Sequence, residues 1–134
     1  MTVVVDTSFV LAVLRADDAN HAAATGWLTT LGEDLWTSPL AVAEMDHWAS
    51  RLGAAEEFRQ DLDSGAYNVR WWADALRETI GIARLRPDIG LTDASLVAVA
   101  GRLGTDRIAT FDHHHFRSLT TAAGKPFVLL PADA

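Results

Sequence analysis

Four carboxylates carry the chemistry this sequence can offer. Asp6 directly follows the valine run Val3–Val5, and Glu44 lies about two turns into a helix opened by Ser38-Pro39. Asp93 falls in the first turn of an apolar helix read from Thr92 to Leu103, and Asp112 follows the short strand Arg107–Thr110. Clustered carboxylates repel one another and stay ionised only with a cation among them. The chain has no cysteine, so thiolate sites are excluded. The natural filler is a hard divalent ion with oxygen ligands, Mg²⁺ or Mn²⁺. Such an ion activates water and neutralises charge developing on a phosphate.

Each acid also has an ordinary role open to it. Asp6 can help turn the chain, with Thr7 or Ser8 capping the helix that follows. Asp93 can complement a helix dipole. Yet Asp93 shares a helical stripe with Leu96, Val97 and Ala100, and Glu44 shares one with Leu40, Ala41 and Trp48. An unpaired acid at the margin of an apolar face is expensive. Singly, each acid reads as structural; four at matching element ends favour a metal site.

Other constellations weigh less. Glu44 and His47 form an E-x-x-H pair, but a di-iron bundle needs a second pair and none exists. His113, His114 and His115 read as a solvated loop whose side chains diverge. Ser8 stands where an aspartyl-phosphate enzyme would carry a second Asp, and no glycine-rich nucleotide loop is present.

The elements that must hold these acids alternate. The valines make a strand buried on both faces, followed by a helix over Phe9–Ala16. A second helix covers Asp17–Leu31, with Ala22, Ala23, Ala24, Trp27, Leu28 and Leu31 as apolar positions. Then come a strand at Leu35–Thr37 and a helix from Ser38-Pro39, with Ser as N-cap and Pro in the first turn, to about Leu52. A helix over Ala54–Asp63, a strand at Tyr67–Val69 and a helix over Trp72–Arg86 follow. Beyond Thr92–Leu103 lie strands at Arg107–Thr110 and Phe127–Leu130. Strands alternating with helices predict an α/β protein, a three-layer α/β/α sandwich on a mostly parallel sheet. In such a sheet strand C-termini and helix N-termini share one edge, where the four acids can converge.

At 134 residues the chain reads as a single domain, 1–134. With 49% apolar and 22% charged residues it has an ordinary soluble composition. No signal peptide or membrane-spanning run is evident, so a cytoplasmic address without membrane is expected. A net charge of −7 weighs against nucleic acid. The charge is uneven, however: residues 1–66 hold eleven acids and three bases, and 67–134 seven acids and eight bases. A local basic rim therefore remains available.

Taken in order, VVVDTS, TSPLAVAE, LTDASLVAVA and ATFDHHHF resemble the PIN domain, in particular the VapC toxins of bacterial toxin–antitoxin pairs. The resemblance runs from Val3 to about Leu130. It implies an Mg²⁺- or Mn²⁺-dependent endoribonuclease with Asp6, Glu44, Asp93 and Asp112 as its acids, and Asp6, Asp93 and Asp112 as metal ligands. Thr7, Ser8 and Thr110 match the supporting hydroxyl residues, and Phe116 the aromatic closing the last motif. It further implies a structured RNA substrate such as tRNA or ribosomal RNA, a homodimer, and a cognate VapB-like antitoxin. The competing expectation is a non-catalytic PIN-like interaction module. Its motive is the acidic balance and five tryptophans, more aromatic surface than a core of this size needs.

Overall fold

The computed structural model describes residues 2–134. Its strands are β1 (Thr2–Val5), β2 (Asp34–Thr37), β3 (Asn68–Val69), β4 (Arg107–Ala109) and β5 (Val128–Leu130), in the sheet order β3-β2-β1-β4-β5. All four pairings are parallel. Successive strand side chains point to opposite faces, yet Val3, Val4 and Val5 are all fully buried. The central strand is therefore covered on both sides, and the architecture is the α/β/α sandwich expected from the alternation.

The helices are α1 (Thr7–Leu14), α2 (His21–Thr30), α3 (Pro39–Arg51), α4 (Ala55–Asp63), α5 (Ala75–Leu85), α6 (Leu91–Leu103) and α7 (His113–Arg117). Phe9, at the base of α1, stacks on Phe111 at 6.0 Å and meets Trp27 of α2 edge-on at 5.4 Å. Met45, Phe58, Leu96, Ile108, Phe116 and Leu129 complete a core with no accessible surface. No helix among the described residues is long and apolar enough to cross a membrane.

Several local expectations are corrected. Neither Thr7 nor Ser8 caps α1; Asp6 itself does, its Oδ1 accepting from the Phe9 N–H at 3.2 Å. The N-cap of α6 is Gly90 rather than Thr92, so Thr92 lies inside the first turn. The second helix begins at His21, because Asp17–Asn20 form turns, and only Ala24 of its three successive alanines is buried. Trp72 precedes α5 instead of opening it. The triple histidine is the first turn of α7, not a loop. Ser38 does cap α3, its Oγ accepting from Ala41 N–H at 3.1 Å with Pro39 in the first turn.

Candidate active site

From β1 the chain crosses one way to β2 and the other way to β4. The C-terminal ends of these two neighbours open the crevice where parallel sheets place ligands. Val5 pairs with Ala109, so the next residues, Asp6 and Thr110, leave the sheet side by side. Thr110 Oγ1 donates to Asp6 Oδ2 at 2.7 Å, and Ser8 Oγ donates to Asp6 Oδ1 at 2.7 Å. Both hydroxyls are themselves polarised: Phe111 N–H donates to Ser8 Oγ and Asp112 N–H to Thr110 Oγ1, each at 2.9 Å. Two backbone donors thus act through two hydroxyls on one buried carboxylate.

Burial nevertheless wins. It pushes the Asp6 carboxyl up to about 6, against the lowering effect of the Thr110, Ser8 and Phe9 hydrogen bonds; nearby Asp93 adds a further upward push. Asp93 is also raised, chiefly by burial, with Asp112 and Glu44 adding repulsion and His115 offsetting part of it.

Asp6, Thr7, Ser8, Leu11, Glu44, Trp48, Thr92, Asp93 and Asp112 line one cavity of about 260 Å³. All four acids singled out from the sequence are there, with no Lys or Arg among them. Asp93 comes from the first turn of α6, and Glu44 from α3, half-buried on the face toward the cavity. His47, its E-x-x-H partner, is exposed. Ser38 Oγ and Ser95 Oγ lie 2.6 Å apart, tying the start of α3 to the start of α6 and so fixing Glu44 relative to Asp93.

The sequence reading missed His115. Its Nδ1 lies 2.9 Å from Asp93 Oδ2 and 3.1 Å from Asp112 Oδ2. One ligand atom each from Asp93, Asp112 and His115 falls within a 4.8 Å cluster. The signal lay in the D-x-x-H spacing: Asp112 caps α7 by accepting from the His115 N–H, and that turn aims the imidazole back at the acids.

The residues fit a bound cation. Repelling, partly buried carboxylates face a shared space without a basic residue in its lining. In addition, Thr7 Oγ1 in that lining is buried with no hydrogen-bond partner among the described residues. Fold and site together are those of an α/β protein built to concentrate negative charge at its topological switch point, the layout of a hard-cation centre.

The comparisons give this class a family. The PIN domain model matches residues 3–120. Ribonuclease VapC26 of Mycobacterium tuberculosis is 32% identical over 134 residues, spanning 96% of this chain and 99% of that protein. The crystal structure of Mycobacterium tuberculosis VapC20, described as a sarcin-ricin loop cleaving toxin, has a TM-score of 0.74 at 26% identity, covering 82% of this chain and 89% of that one. A toxin–antitoxin complex from Klebsiella pneumoniae agrees in fold, with a TM-score of 0.69 at 15% identity over 87% of this chain and 92% of that chain. This chain belongs to the PIN-domain family.

Proposed function

We propose that this protein is the metal-dependent endoribonuclease toxin of a type II toxin–antitoxin pair. The observation that carries the reading is the cavity at the β1/β4 switch point, with four acids and no Lys or Arg in its lining. Family membership and the similarity to Ribonuclease VapC26 support it.

In this reading Asp6, Asp93 and Asp112 hold an Mg²⁺ or Mn²⁺ ion, and Glu44 completes the site from the facing helix. The ion supplies charge neutralisation at the phosphate and activation of water for in-line attack, which would leave 5′-phosphate and 3′-hydroxyl ends. The chain's own part is positional. Ser8 and Thr110 aim Asp6 and partly offset the cost of ionising it in a buried place, and Thr7 offers a free hydroxyl oxygen to the cavity. His115 joins Asp93 and Asp112. The substrate is a structured RNA, tRNA or a ribosomal RNA loop, in keeping with the activity ascribed to VapC20. The partners are a VapB-like antitoxin and a second copy of the chain, in the cytoplasm.

The test is incubation of the antitoxin-free protein with total bacterial RNA in Mn²⁺, Mg²⁺ or EDTA, followed by mapping of new 5′ ends. A few discrete metal-dependent cuts, absent with Asp6→Asn and Asp93→Asn, are expected. Cleavage undiminished in both variants would sink the assignment. Failure of either metal to bind would favour a non-catalytic interaction module instead.

A further inference from the structure

Glu44, Trp48 and Arg51 are spaced i, i+4, i+7 on α3 and so form one stripe. At 1.5 Å per residue, Trp48 lies about 6 Å and Arg51 about 10 Å beyond Glu44 along the axis. Glu44 and Trp48 both line the acidic cavity. Trp48 is 45% exposed, whereas the other four tryptophans are half-buried. An exposed indole is an odd way to end a catalytic cavity unless something covers it. Its surroundings hold the ring in place: the Arg51 guanidinium lies over one face of the ring, 5.9 Å from its centroid, and His47 meets the ring edge-on at 5.4 Å. Arg51 is one of only three bases in residues 1–66, and it makes no ion pair among the described residues.

We infer that this stripe is the nucleotide track of the site: Trp48 stacks the base next to the scissile phosphate, and Arg51 takes the following phosphate. The inference rests on the nuclease reading and adds how that site grips RNA. A chain of net charge −7 must grip RNA by local contacts, because it gains little from general attraction. Stacking on an aromatic face is the contact that works without it, because every base offers a π-face. The order acid, aromatic, cation, moving out from the cavity, matches the order of reacting phosphate, base and next phosphate along a strand. A strand peeled out of a loop presents its bases in the unstacked form this track needs.

The probe is an RNA oligonucleotide spanning the cut found by 5′-end mapping, together with derivatives carrying a single abasic nucleotide at each position beside the cut. Steady-state cleavage is compared for the wild-type chain and for Trp48→Leu, Trp48→Phe and Arg51→Gln. Trp48→Leu should raise KM roughly ten-fold with kcat within about two-fold, and Trp48→Phe should restore most of the loss. One abasic position should raise the wild-type KM by a similar factor and add nothing further in Trp48→Leu. Arg51→Gln should raise KM and flatten its dependence on salt. A wild-type KM in Trp48→Leu, or an abasic penalty undiminished in that variant, overturns the track. So does a Trp48→Leu protein that cuts normally but escapes inhibition by its co-expressed antitoxin, which would make the ring a protein contact. If the wild type cuts no RNA with metal, the nuclease reading fails and the track with it. Normal cutting without a base-dependent step fails the track alone.

Discussion

Thr110 Oγ1 and Asp6 Oδ2 are 2.7 Å apart in space and 104 positions apart in sequence. The contact follows from register, since each residue is the first beyond its strand in the adjacent pair β1/β4. It joins a burial problem to its partial remedy: the sheet forces a carboxylate inside, and the same sheet delivers a hydroxyl to it.

Thr110→Val keeps the shape and removes the donor. It should lower stability by about 1–3 kcal/mol, because the buried carboxylate and the Asp112 N–H each lose a partner. Burial is then less opposed, so the Asp6 carboxyl rises further and the acid limb of the pH–rate profile moves to higher pH. Thr110→Ser should preserve both properties. Urea titration and a pH–rate series read the two effects, and an unmoved acid limb in Thr110→Val would separate Asp6 from the rate.

Asp6→Asn gives a stability test of opposite sign. The folded carboxyl lies near 6, above its ordinary value of 3.8. The folded state therefore holds the proton more tightly, and the stability that Asp6 contributes is full below about pH 4 and lost as pH rises through 6. In EDTA the Asn variant should match the wild type near pH 4. By pH 7.5 it should be the more stable, by at most about 3 kcal/mol. Denaturant melts at the two pH values decide it; a variant equally stable relative to wild type at both would show that folding leaves the Asp6 carboxyl at its ordinary value.

His115 predicts a metal preference. An imidazole nitrogen beside two carboxylate oxygens suits Mn²⁺ better than Mg²⁺. Mn²⁺ should raise the melting temperature in a concentration-dependent way, worth about 2.7 kcal/mol at a hundred times its Kd. His115→Ala should weaken Mn²⁺ binding while leaving Mg²⁺ nearly unchanged. Equal losses for both ions would reduce His115 to a partner of Asp93 without a ligand role.

Ser38 and Ser95 couple two helices. Ser38→Ala removes the cap of α3 and the Ser95 contact together, and should destabilise by about 1–2 kcal/mol. Ser95→Ala leaves the cap intact, so its effect on melting should be smaller. Since the pair fixes Glu44 relative to Asp93, both variants should lower metal affinity. A Ser95→Ala protein with wild-type metal binding would show that the helices are registered by other contacts.

The parts of this architecture that were legible in the sequence are those whose cause is local. Three adjacent valines report burial on both faces, and Ser38-Pro39 announces a helix start by side-chain chemistry. The start of α6 misled for the same reason: Thr92 looks the better cap, but Gly90 takes the extended cap position with φ −83° and ψ 173° and no side-chain bond. His115 was hidden because three adjacent histidines look alike until the Asp112 cap winds them into a turn. The hydroxyl network around Asp6 was least legible, since the pairing of β1 with β4 is a choice of topology that neither segment records alone. The four acids, by contrast, line one cavity: Asp6, Asp93 and Asp112 sit at element boundaries, and Glu44 lies about two turns beyond the Ser38-Pro39 start of α3.

The sheet order also sets a timetable. β1 is made first and lies in the middle, but its neighbour β4 begins at Arg107, so the ribosome must release four-fifths of the chain before that pair can close. Until then the early part can offer Asp6 and Glu44 but neither Asp93 with its full setting nor Asp112. A partly synthesised or prematurely ended copy thus carries only part of the acidic cavity. Vectorial synthesis makes the acidic cavity one of the last features of the molecule to be assembled.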